Sequence, residues 1–380
     1  MLHLQSNARG GRGSVLAVAL ATVLLLAACD PRDPKALTAH AVTLQAPSSV
    51  FLGDGLQHGP VGAANYRLVR DGVAAARMPD GWTLNLFSDT SPVPGSGPAW
   101  LITNSAAMSP PGMPQALQER LVNGKPKPVL PWTPAEAAQV VGGKYYPGIW
   151  PTGATWVPND IEGGGRVLIS YHRVGTDTSV TPATYTRLGQ GIAEYRYKDA
   201  ATAVADGIEA TRLNDDLFPG DNVVSMGSPV YHRGWVYLWG CDLPAITCYG
   251  ARAKPWDIAN GSRWAWWDGN AYVATRAERK PIGVGEFSEP RVQWVAAYDA
   301  FAMVNGRTGD QAVIRWSAVP SGPWTAPQFV KIPGCGKSLY ENGCYLPEVR
   351  PESTPTMMKL TYAVFGTSET HLAGIAVQKP

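Results

Sequence analysis

The chain has 380 residues, 45% hydrophobic and only 16% charged, with 32 Lys and Arg against 30 Asp and Glu and a formal net charge of +2. So even a balance leaves no electrostatic footprint for nucleic acid or an anionic membrane surface, and a neutral ligand fits it better. The length allows one large β domain or two smaller ones. With 41 Gly, 33 Pro and 14 Trp, and few amphipathic helical stretches, the composition favours many short strands joined by turns.

At the start, Arg9 and Arg12 form a basic stretch, and no acid precedes Asp30. Val15 to Ala28 is an uncharged apolar run of about 14 residues, short of the roughly 20 that a permanent spanning helix needs. It reads as a secretory signal over residues 1–28. Leu26-Ala27-Ala28-Cys29 resembles the lipobox of bacterial lipoproteins, so Cys29 is expected to become the lipid-bearing first residue of an exported protein. The lipid is then the sole expected contact with a membrane, at the cell membrane or outer envelope. Cleavage removes two arginines and no acid, leaving 30 charges of each sign. Residues 29–62, rich in Pro, Ala and Gly, read as a flexible tether, and residues 63–380 as the folded domain.

Strand signals then come in pairs. Arg77 to Asp89 crosses a Pro79-Asp80-Gly81 turn, and Arg166 to Tyr171 follows Gly163-Gly164-Gly165. Val223 to Tyr231 runs through His232-Arg233-Gly234 into Trp235 to Trp239. Val292 to Tyr298, Ala312 to Trp316 and Lys359 to Phe365 look similar. Only Pro114–Asn123 and Pro134–Val141 read as helical. Hairpins recurring every few tens of residues suit the blades of a propeller. Cys241 with Cys248 and Cys335 with Cys344 are expected to form two local disulfides, since export places them in an oxidising space. Zinc is disfavoured, because neither pair has CxxC spacing and no His-x3-His accompanies them.

Several phrases, in this order, resemble the five-bladed β-propeller glycoside-hydrolase-like proteins of the bacterial group called domain of unknown function 4185. They are Arg70-Asp71-Gly72 leading to Leu86-Phe87-Ser88-Asp89-Thr90, then Ile102-Thr103-Asn104-Ser105-Ala106, and Gly227-Ser228-Pro229-Val230 before Trp235-Val236-Tyr237. Phe287-Ser288-Glu289 before Val292-Gln293-Trp294, Gly322-Pro323-Trp324-Thr325-Ala326-Pro327, and Tyr345-Leu346-Pro347-Glu348 follow. The likeness spans roughly residues 65–378 and departs from the group's pattern at Ser88 and Thr103. It implies an all-β, five-bladed propeller with short helical insertions. It also implies a hydrolase of a cell-envelope polysaccharide such as D-arabinan.

On their own terms, Asp71 and Asp89 lie nine residues to either side of Asp80. A loop of odd length sets them directly opposite one another, with Cβ atoms about 4.5–5.5 Å apart. Facing like charges destabilise a sheet, whereas glycoside hydrolysis needs a carboxylic acid and a carboxylate side by side. A structural reading also stands, in which Asp71-Gly72 is a turn and Asp89 caps loop amides. Glu289 and Glu348 are reserve acids at blade junctions, with a hydrogen-bonded structural role the commoner outcome. Asn104 and His172 are candidates to hold sugar hydroxyls. Trp100, Trp150, Trp156 and Trp239 are candidates to stack on sugar rings, while most of the 14 tryptophans are expected in the core. No phosphate loop, nucleophile elbow or HExxH motif occurs. No metal, cofactor or protein partner is expected, and a non-catalytic glycan-binding lipoprotein on the same fold is the alternative function.

Overall fold

Runs of β-branched, aromatic and small residues separated by glycine-centred turns give five successive sheets in the computed structural model. It describes residues 43–44, 48–51, 56–58 and 68–378, except 94–99, 159–163, 220–222, 243–246, 285–289, 308, 339–340 and 368. Blade one holds Val73–Arg77, Thr83–Phe87, Ser105–Ser109 and Gln118–Val122; blade two holds Tyr145–Val157, Gly165–Asp177, Thr184–Tyr197 and Thr211–Asn214. Blade three is built on Val230–His232, Trp235–Asp242, Thr247–Ala253 and Ala265–Trp267. Blade four holds Arg291–Val295, Ala300–Arg307, Gln311–Ser317 and Gln328–Lys331, and blade five Cys344–Val349, Met357–Val364 and Glu369–Gln378. The first strand of each blade packs against that of the next, and the fifth against the first, which closes a five-bladed propeller.

Local chemistry explains the hairpins. Gly81 takes φ +86° after Asp80, whose carboxylate accepts from the Trp82 amide at 3.2 Å. Arg233 and Gly234 both have positive φ, which gives the two-residue turn whose twist suits the strands on either side. Cys241 and Cys248 face each other across a strand pair and are bridged, and a second disulfide ties Cys335, outside any strand, to Cys344.

Two α-helices lie among the described residues. Pro134–Ala137 has the Thr133–Glu136 capping box, and Ala200–Asp206 is capped by Asp199. The helix expected over Pro114–Asn123 is instead the strand Gln118–Val122. Leu117, Glu119 and Leu121 alternate inward, and this period of two wins over helix-friendly composition. Within residues 29–62, Thr43–Leu44 and Ser48–Phe51 pair with Glu369–Gln378, and Leu56–His58 runs parallel to Gln118–Val122. Among the described residues no helix is long and apolar enough to cross a membrane.

Apolar clusters fill four of the five seams. Ala74, Leu86, Ile149 and Ile169 join blades one and two; Leu168, Ile192, Val236 and Leu238 join two and three. Trp239, Val292 and Phe301 join three and four; Val295, Ile314, Leu360 and Tyr362 join four and five. The seam between blades five and one is polar. Fully buried Glu348 accepts from Arg291 at 2.9 Å, from Gln293 at 3.0 Å and from the Ala75 amide at 3.1 Å. Arg291 also donates to the Val73 carbonyl at 2.6 Å, and Arg350 to Asn85 at 2.7 Å. Glu348, a reserve acid in the sequence, is thus a tie between blades four, five and one, closed off from any sugar.

Replacing Glu348 with Gln keeps the shape but leaves the Arg291 charge buried without its partner. The expected loss of stability is about 3 kcal/mol or more, read as a lower urea midpoint. An unchanged midpoint would show that the seam does not depend on the charge.

Candidate active site

The starts of three inner strands meet around two acids. In the first hairpin Val73 pairs with Phe87, and beyond the acids Arg70 pairs with Thr90. Asp71 and Asp89 therefore fall at one level, and the Asp71 amide donates to the Asp89 carbonyl at 2.8 Å. Gly72 turns the chain there with φ +59°; a Cβ on it would meet Leu346 Cδ1 at 3.2 Å, so the position is tight as well as left-handed. Both acids are half-buried.

Asp89 caps no loop amide among the contacts the structure shows, whereas the Asp71 carboxylate accepts from the Gly72 amide in the turn as well as from a side chain. The Tyr345 hydroxyl donates to Asp71 Oδ1. Tyr345 opens the inner strand of blade five, just before an irregularity in which Leu346 takes φ +50° and the register to the neighbouring strand shifts. That bulge aims the ring at the first blade. Asp89 Oδ1 accepts from Trp150 Nε1 at 2.9 Å, and the Tyr146 hydroxyl bonds Asp89 as well. Tyr146 and Trp150 both come from the start of the inner strand of blade two. Tyr185, on the third strand of that blade, is exposed and sits edge-on to Trp150 with ring centroids 5.8 Å apart.

Burial raises both carboxyls above the ordinary range. Asp89 is pushed up to about 7, first by desolvation and then by the negative charge of Asp71, against the hydrogen bonds from Trp150 and Tyr146. Desolvation also raises Asp71, but the Tyr345 hydrogen bond and the nearby Arg291 charge work in the opposite direction. Both carboxyls are thus raised, but the groups beside Asp71 oppose its rise while the charge of Asp71 adds to that of Asp89, so the two environments differ. Burial and the Asp71 charge raise Tyr345, so its hydroxyl stays a donor.

The other sequence candidates divide. Trp150 belongs to the site. Its strand partner His172 is buried on the same face. Asn104 is fully buried and braces main chain: it donates to the Leu130 and Ile149 carbonyls at 3.0 and 3.1 Å and accepts from the Leu130 amide at 2.7 Å. It supports the strand carrying Trp150 and does not reach outward. Trp100 is half-buried under Lys125, whose ammonium lies 5.7 Å from its ring centre. Trp156 packs edge-on against Tyr197, and Trp239 is core, donating to the Pro320 carbonyl at 3.2 Å. Glu289 and Cys29 lie outside the described residues. Tyr345, Tyr146 and Tyr185 join the site without any local sequence signal to mark them, although Tyr345 stands in the phrase Tyr345-Leu346-Pro347-Glu348. Among the described residues no three His, Cys, Asp or Glu side chains are grouped to hold a metal.

No family model and no curated protein matches the chain. Among solved structures it is similar to a Bacteroides ovatus protein proposed to be a hydrolase, at 14% identity and a TM-score of 0.57, covering 88% of this chain and 93% of that one. It is also similar to a family 117 glycoside hydrolase of Zobellia galactanivorans, at 10% identity and a TM-score of 0.50, covering 87% and 90%. At such identities the likeness is one of fold, and the fold is the five-bladed propeller.

The raised Asp89 carboxyl predicts a pH dependence of stability. Between about pH 4 and 7 the unfolded chain has lost this proton and the folded chain keeps it, so stability falls as pH rises and levels off above about 7. Asp89→Asn mimics the protonated form and should flatten that slope in melts taken from pH 4 to 8. A slope identical to wild type would mean that Asp89 ionises normally in the folded protein.

Proposed function

We propose that the protein is a glycoside hydrolase acting on a neutral, arabinan-like polysaccharide of the cell envelope, with Asp71 and Asp89 as its carboxylate pair. The observation that carries this reading is the pair itself: two half-buried acids at one level of a hairpin, with environments that separate their proton affinities. Protonated Asp89 donates to the leaving glycosidic oxygen. Ionised Asp71, held by Tyr345 and favoured by Arg291, attacks the anomeric carbon. Water, deprotonated by Asp89, then releases the sugar and restores both groups. Directly opposed backbone positions suit the short carboxyl separation of a retaining enzyme, roughly 5–5.5 Å. Exposed Tyr185 and the edge of Trp150 offer apolar faces for sugar rings above the acids. The family 117 identity of one structural neighbour agrees with this chemistry. The two disulfides suit an oxidising compartment, in keeping with export and with an anchor at Cys29.

The test is release of reducing ends from a panel of neutral polysaccharides, arabinans included, by wild type, Asp71→Asn and Asp89→Asn. Each substitution should lower turnover by roughly 10²–10⁴-fold with folding intact. Wild-type activity should decline above about pH 7 as Asp89 loses its proton. Activity surviving both substitutions would remove the pair from the mechanism and turn attention to Glu289. Binding without turnover would favour the glycan-binding alternative.

A further inference from the structure

A recess of about 790 Å³ opens at the end of the first hairpin away from the acids, between the outer strand Gln118–Val122 of blade one and the helix Ala200–Asp206. It lies around the Asp80-Gly81 turn, nine residues from either acid, up to about 30 Å away at strand rise. Its volume falls in the range of sites that hold small molecules, roughly 300–1,000 Å³.

The walls have two characters. The half-buried indole of Trp82 lies on one side, and the helix presents Ala201 and Val204 on the other. The polar groups are fixed before any ligand arrives. Asp80 accepts from the Tyr197 hydroxyl at 2.6 Å and from the Trp82 amide, while Arg120 donates to the Ala205 carbonyl at 2.9 Å. Asn123 completes the rim. One acid and one base leave the recess formally neutral. An apolar slot with an indole wall and a balanced polar edge suits a neutral ring that carries hydroxyls on its rim and C–H groups on its faces.

We propose that this recess is a non-catalytic subsite for a neutral glycan, holding a second stretch of the polymer while the acids act on another. The proposal rests on the polysaccharide reading of the active site and extends it to a separate surface. Two linked sites on one polymer raise the effective concentration of the chain at the acids, so the recess matters for long substrates and not for short ones.

The test fills the slot from its exposed side with Ala201→Trp, which leaves the core residues untouched. Trp82→Ala, checked for folding by its melting curve, serves as a second variant. Retardation in native gels containing arabinan, arabinogalactan or xylan reports binding, and reducing-end release compares long polymers with short oligosaccharides. The expected result is loss of gel retardation and a KM for polymer raised roughly tenfold or more, with oligosaccharide turnover unchanged. Retardation and polymer KM equal to wild type in Ala201→Trp would overturn the proposal, as would wild-type protein that no polymer retards. Wild-type protein that is retarded, and released by Ala201→Trp, yet cleaves nothing would sink the hydrolase reading and leave the subsite standing.

Discussion

A ring of blades holds only if its last blade is fixed to its first, and here that seam is made of charge. Four seams are filled by apolar clusters with a few hydrogen bonds beside them, and hydrocarbon tolerates small shifts because its contacts are many and undirected. The fifth is Glu348 with Arg291, Gln293 and the Ala75 amide, a set with fixed directions. Such a pair adds little net stability over an apolar seam of equal volume, but it punishes any misplacement, because a buried charge without its partner is expensive. It therefore sets the position of blade one relative to blades four and five more sharply than packing alone.

That position is what the acids need. Asp71 belongs to blade one, the hydroxyl it accepts from belongs to blade five, and the cation that favours its ionised form belongs to blade four. Arg291 thus serves the seam and the site together. Asp89 depends on blade two, through Tyr146 and Trp150. The difference in proton affinity between two opposed aspartates comes from four blades, and the hairpin carrying them supplies only their proximity.

This division explains what the sequence made legible. The opposition of Asp71 and Asp89 follows from their equal distance to the Asp80 turn, a local property, and the register bears out that geometry. Most hairpins were legible for the same reason. Tyr345 lies 274 residues from Asp71, and nothing local marks a tyrosine that meets its partner only when the ring closes. Asn104 and Glu348 look like site groups because they are polar and flank strands. Their partners are backbone carbonyls and buried side chains, which no single sequence displays. The strand Gln118–Val122 hides behind residues that favour helix, and Trp239 resembles a strand-end residue until the next blade covers it.

The pairing of Ser48–Phe51 with Glu369–Gln378 also orders events in time. The two segments are more than 300 residues apart, so the outer edge of blade five remains unfinished through nearly all of synthesis. Blades one to four can assemble as the polypeptide lengthens, but the ring cannot lock until residues 369–378 have been made and have found a partner produced long before. Contacts of such long range are slow to form. Until then the early segment is a loose strand with its hydrogen-bonding groups unmatched. A chain that crosses a membrane before folding would meet this delay on the far side, where the final closure takes place.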